Sequence, residues 1–241
     1  MIFDPRRRLV IGSLPVARRG MFEARSSGSQ PRRFLLGGLA LSLHVALTGC
    51  QAGASERESH PDGEGILSVQ LGSGGGVAVR PPGFFPWRAS YGFGLLCLRE
   101  DADVRLERVR WDATVEPISV TPMLRRVSAQ QLDGSPRQTA PFSPFYSALG
   151  SPPKWSERYA TADLRGDFTK EVAGTEVAAA CERPRDPKAA FTELVFVVEA
   201  AEEGARMPRF YVDYTADGSP YTLRVDHAFV LCGTRARSRA C

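Results

Sequence analysis

Leu194-Val195-Phe196-Val197-Val198, Arg209-Phe210-Tyr211-Val212-Asp213-Tyr214, Asp217-Gly218-Ser219-Pro220 and Tyr221-Thr222-Leu223-Arg224-Val225 together decide the fold class of this chain. The first is a short apolar, β-branched run that reads as a strand, and the second alternates with the period of two that a pleated strand imposes. Asp-Gly between two such runs is a hairpin turn signal, so 221–225 returns antiparallel to 209–214, and His227 to Cys232 completes the series. Upstream, Phe93 to Arg99 reads as a buried strand, followed by the acidic turn Glu100-Asp101-Ala102-Asp103. Val104, Leu106, Val109 and Trp111 alternate with one slip, which a β-bulge absorbs. Val115 to Val120 and Met123 to Val127 extend the set. Short strands separated by regular turn signals predict a mainly β chain, an antiparallel β-sandwich.

Val212-Asp213-Tyr214, Asp217-Gly218, Tyr221 and the closing Leu231-Cys232-Gly233 resemble the terminal strands of immunoglobulin-like modules in exported actinobacterial proteins. The resemblance covers only the C-terminal strands and implies an immunoglobulin-like fold without implying an activity.

Between these strands the pattern loosens. Ser128 to Pro153 concentrates Pro, Gly and Ser, and the predicted domain, 77–241, carries an irregular surface insertion over 128–160. Lys170 to Ala180 is rich in Ala, Glu and Val and favours helix, with Gly174 counting against it. Residues 50–76 are dominated by Gly, Ser and Glu and read as a flexible tether, with 66–71 as a first edge strand. Gly72-Ser73-Gly74-Gly75-Gly76 fits neither a dinucleotide nor a Walker pattern and reads as linker. Val77 to Arg80 is a short strand. Pro81-Pro82-Gly83-Phe84-Phe85-Pro86-Trp87 then denies a ladder its donors, while its aromatics demand burial or a partner.

The N-terminus reads as an address. Arg32-Arg33 precede the apolar run Phe34 to Leu47, too short for a permanent span, and Thr48-Gly49-Cys50 follow. Leu47-Thr48-Gly49-Cys50 resembles the lipobox of bacterial lipoprotein signal peptides. That resemblance implies diacylglycerol on the Cys50 sulfur, cleavage before Cys50, and residues 1–49 as an N-terminal extension and signal helix. Met21 gives a signal of more ordinary length than Met1, and Arg32-Arg33 loosely resembles a twin-arginine export signal.

Charge follows from that division. The formal net charge is +4, but residues 1–49 carry eight Arg and two acids, so the remainder holds 23 basic and 25 acidic residues, a net of −2. A nucleic-acid partner is therefore not expected. Cys97, Cys181, Cys232 and Cys241 remain after Cys50 and form disulfide candidates in an oxidising compartment. Three pairings exist. Cys97 and Cys232 both lie in apparent core strands, which favours joining them and leaves Cys181 with Cys241.

Catalytic candidates are few. His60 falls in the expected tether, so His227 is the one plausible base, and no G-x-S-x-G elbow accompanies it. His227, Met207 and Cys232 share one β-rich block and are soft ligands of the kind copper takes, but the second histidine and following methionine of cupredoxin-like sites are missing. Zinc spacing is absent too, so no metal or cofactor is expected. Phe84, Phe85 and Trp87, with Phe142, Phe145 and Tyr146, form either a contact surface or plugs for the ends of the sandwich. The sequence thus predicts a lipid-anchored envelope protein on the extracytoplasmic face of the membrane, with an envelope protein or polymer as partner. An exported enzyme or metal-binding protein using His227 is the alternative.

Overall fold

Where β-branched and aromatic residues alternate, the backbone finds ladder partners on both sides, and the sheets grow from those runs. The computed structural model describes residues 57–71, 74–133, 146–152, 164–181 and 190–241. The signal region, Cys50, Phe142 and Phe145 lie outside the described residues. In chain order the strands are β1 (Glu58–Pro61), β2 (Leu67–Ser68), β3 (Gly75–Val79), β4 (Trp87–Leu98), β5 (Val104–Asp112) and β6 (Ser119–Val127). After helix α1 (Ala129–Asp133) come β7 (Ser147–Leu149), β8 (Asp167–Thr169), β9 (Glu176–Val177), β10 (Phe191–Ala200), β11 (Ala205–Met207), β12 (Arg209–Ala216), β13 (Ser219–Val225) and β14 (His227–Leu231).

One sheet has the order β1-β13-β12-β5-β9, a second β2-β4-β10-β6-β8 with β7 also on β4, and a third β11-β14-β3. Among the described strands β1–β13 and β14–β3 pair parallel, and the other strand pairs are antiparallel. The chain is mainly β with antiparallel-rich sheets, as its alternation predicts. The hairpin forms at the expected place: Asp217 and Gly218 take φ of 49° and 79°, the paired positive angles of a two-residue turn between Ala216 and Ser219. The slip in 104–111 is a bulge, because Asp213 faces Arg108 while Tyr214 faces Leu106, leaving Glu107 as the extra residue.

Inward residues of all three sheets share one core. At its centre the rings of Phe196, Phe210 and Phe229 lie 4.9–5.7 Å apart, and Tyr91 stacks on Phe229 at 4.9 Å. The Tyr91 hydroxyl donates to the Val230 carbonyl at 3.1 Å, so the buried phenol is satisfied. The outward face of β10 is covered as well: Val195 and Val197 pack with Met123 and Leu164 in a second, smaller cluster. Between them Arg125 and Glu193, cross-strand neighbours on β6 and β10, form an ion pair at 2.7 Å with both side chains fully buried.

Several expectations are corrected. The described part of the presumed tether is built into the sheets, since β1, β2 and the start of β3 all precede residue 77. Asp62 explains the order that composition hid: its carboxylate accepts from Ser68 Oγ, Val69 N and Leu71 N at 2.7–2.9 Å, which folds 62–71 and lets Leu67 and Val69 enter the core. Arg57 adds bonds to the Tyr214 and Tyr221 carbonyls. Residues 170–180 are not helical, because their backbone groups serve β5: Leu106 N donates to Thr175 O and Gly174 N to Leu106 O. The insertion is less irregular than expected, since Ser128 and Gln131 cap α1 reciprocally and β7 pairs with β4.

The disulfides are Cys97–Cys181 and Cys232–Cys241, not Cys97–Cys232 and Cys181–Cys241. Cys97 and Cys232 sit at opposite ends of the strands. A parallel bridge between Leu98 and Ala180 sets Cys181 beside Cys97, and the chain after Cys232 doubles back through a Gly233 N to Ala236 O bond. Glu58, opposite Tyr221, marks one end of the domain, where Asp217 N donates to Asp103 O. Trp87, at the start of β4, marks the other. β4 itself extends about 36 Å from Trp87 to Leu98 at ~3.3 Å per residue.

Candidate functional site

The aromatic loop before β4 divides into two parts with opposite fates. Proline at 81, 82 and 86 keeps the segment out of a ladder, and Phe85-Pro86 is a cis peptide. Trp87 begins β4 opposite Ala200 and is 2% exposed, so it is a core residue. Phe84 and Phe85 are 48% and 46% exposed. The loop is therefore divided: Trp87 closes the end of the core, and the two phenylalanines stand outside it.

Beside the loop lies a cavity of about 320 Å³. Phe84, Pro86 and Trp87 line it from the loop and Leu149 from β7, together with Arg88 and Glu199. Arg88 Nε and Nη2 donate to Glu199 Oε2 at 3.1 and 3.0 Å, and Ser119 Oγ lies 3.3 Å from the same oxygen. Ile118, exposed, donates its backbone N–H to the Glu199 carbonyl, which adds a third apolar side chain to this end of the molecule. Tyr146 is exposed three residues before Leu149, about 10 Å away along β7 at ~3.3 Å per residue, so the structure sets it apart from the loop.

Truncating the displayed pair tests this division. The double variant Phe84→Ala, Phe85→Ala is expected to stay within about 1 kcal/mol of the parent in chemical denaturation, as surface changes do. A loss on the scale of buried aromatic truncation, about 3 kcal/mol or more, shows that the whole loop is a plug.

The remaining candidates are placed as follows. His227 is 8% exposed on β14, opposite Gly75, with its ring edge-on to Phe229. Burial pushes its imidazole below the ordinary value and favours the neutral ring. A side chain at 75 would collide with that ring, so glycine there is what admits it. Met207 is a core residue, and the Cys232 sulfur is taken by Cys241, which removes the thiolate from the copper reading. Among the described residues no three His, Cys, Asp or Glu side chains come together as a metal site. His60, expected in a tether, lies on β1 with its ring 5.9 Å from Tyr221.

One polar cluster escaped the sequence reading. Asp213, fully buried on the outward face of β12, accepts from Arg108 at 2.6 Å, from Arg110 at 2.8 Å through both oxygens, and from Thr222 at 2.7 Å. Burial opposes its ionisation, but the bonds from Arg110, Thr222 and Arg108 outweigh it and hold the carboxyl well below the usual range. The arrangement is a clamp across three strands.

No family model matches the chain, and neither the curated proteins nor the solved structures contain a detectable match.

Proposed function

We propose that this chain is a cell-envelope lipoprotein: diacylglycerol on Cys50 holds an immunoglobulin-like β-sandwich outside the cytoplasmic membrane, and the domain binds an envelope protein or polymer. The observation that carries the reading is cysteine arithmetic. Of five cysteines, four are consumed in Cys97–Cys181 and Cys232–Cys241, which suits an oxidising compartment and leaves over the one residue that ends a lipobox. Phe84 and Phe85 support the binding role, because these two large apolar side chains stand about half exposed, with Phe84 lining a cavity.

Metabolic labelling with a palmitate analogue in an expressing bacterium tests the anchor. The parent protein is expected to carry label in the membrane fraction, and Cys50→Ser to lose it. Label that survives Cys50→Ser, or an unlabelled parent in the cytosol, overturns the reading.

A further inference from the structure

We propose that the cavity beside Phe84 is a subsite for a neutral sugar unit of an envelope polysaccharide. This rests on the binding reading above and names its ligand class. The cavity volume, about 320 Å³, falls at the small end of ligand sites, room for one or two sugar rings. Its lining has two chemistries. Phe84 and Pro86 offer apolar surface for the C–H face of a ring, and Phe84 is already about half exposed.

Arg88 and Glu199 supply the other chemistry. A guanidinium only donates and a carboxylate only accepts, whereas a hydroxyl does both. Two neighbouring hydroxyls therefore bridge the pair, one donating to Glu199 and the other accepting from Arg88, without breaking the 3.0 Å contact between them. A charged ligand does worse. An anion competes with Glu199 for Arg88 and a cation competes with Arg88 for Glu199, and either leaves a charge unpaired beside a carboxylate that is only 17% exposed. Trp87 also lines the cavity and adds to its apolar wall.

An extended peptide is the competing neutral ligand, and the backbone disfavours it. Strand addition needs an open edge, but β7 already covers β4 at Ala89–Tyr91, Gly150 N donates to Arg88 O, and Ser90 Oγ donates to Gly150 O.

Saturation-transfer NMR on the full chain in detergent tests the proposal, with methyl glycosides of glucose, mannose and galactose and their neutral disaccharides as probes. A proline-rich peptide and inorganic phosphate form separate arms. The expected result is transfer to the ring protons of at least one sugar, reduced at least tenfold by Phe84→Ala and by Glu199→Gln in samples whose melting curves match the parent. Sugar transfer that ignores both substitutions, or no transfer to any sugar, overturns the assignment. If the peptide or phosphate binds in a Phe84-dependent way while sugars do not, the sugar proposal fails and the binding reading stands. The anchor is judged separately by the Cys50 label.

Discussion

Glu193→Ala is expected to cost the domain about 3–5 kcal/mol, because it removes the carboxylate 2.7 Å from a guanidinium that has no exposed surface. Arg125 is held by more than its partner. Its Nε donates to the Arg165 carbonyl at 2.8 Å, and its guanidinium lies 5.7 Å from the Phe191 ring centroid, so it cannot swing out to water without releasing the segment that covers the outer face of β10. For a domain of this size each kcal/mol shifts the melting temperature by ~2–4 °C, which places the expected drop at about 10 °C. The double variant Arg125→Met, Glu193→Leu should recover most of it, since a buried pair and a matched apolar pair are often close in stability. Calorimetric melting of all three chains decides the point. A double variant as unstable as Glu193→Ala shows that lost packing, not the lost carboxylate, is the cause.

Breaking Cys97–Cys181 is the second large effect. The crosslink spans 84 residues, and closing so long a loop removes about 4.5 kcal/mol of unfolded-chain entropy, against about 2.5 kcal/mol for the nine-residue separation of Cys232–Cys241. Paired alanine substitutions, Cys97→Ala with Cys181→Ala and Cys232→Ala with Cys241→Ala, should therefore differ by about 2 kcal/mol in urea denaturation. Equal losses reject the loop-entropy account. The same samples, mapped under non-reducing conditions, check the pairing itself.

What the sequence revealed depended on whether the determining interaction was local. The Asp217-Gly218 turn is set by two residues, and it fixes the register of its hairpin, so Asp213 opposite Thr222 was already implied by counting back from the turn. The bulge at Glu107 was visible as a slip in alternation. The two arginine partners of Asp213, Arg108 and Arg110, were not, because β5 pairs with β12 across some hundred intervening residues. The tether reading failed for a related reason. Composition counts apolar residues, whereas 57–71 is ordered by one carboxylate at Asp62 and one guanidinium at Arg57. The disulfides were misassigned because residence in core strands says nothing about which end of a strand a cysteine occupies. In the candidate site, Pro and Phe spacing located the loop, but only the start of β4 at Trp87 separates the residue that is buried from the two that are displayed.

The early start of β1 shortens the leash. If Cys50 carries the proposed lipid, seven peptide links separate it from Arg57, whose guanidinium bonds the Tyr214 and Tyr221 carbonyls, a reach of at most about 25 Å whatever path they take. A domain tethered in that way would meet partners close to the lipid headgroups, and a partner deeper in a thick wall would have to extend its own chain to reach it.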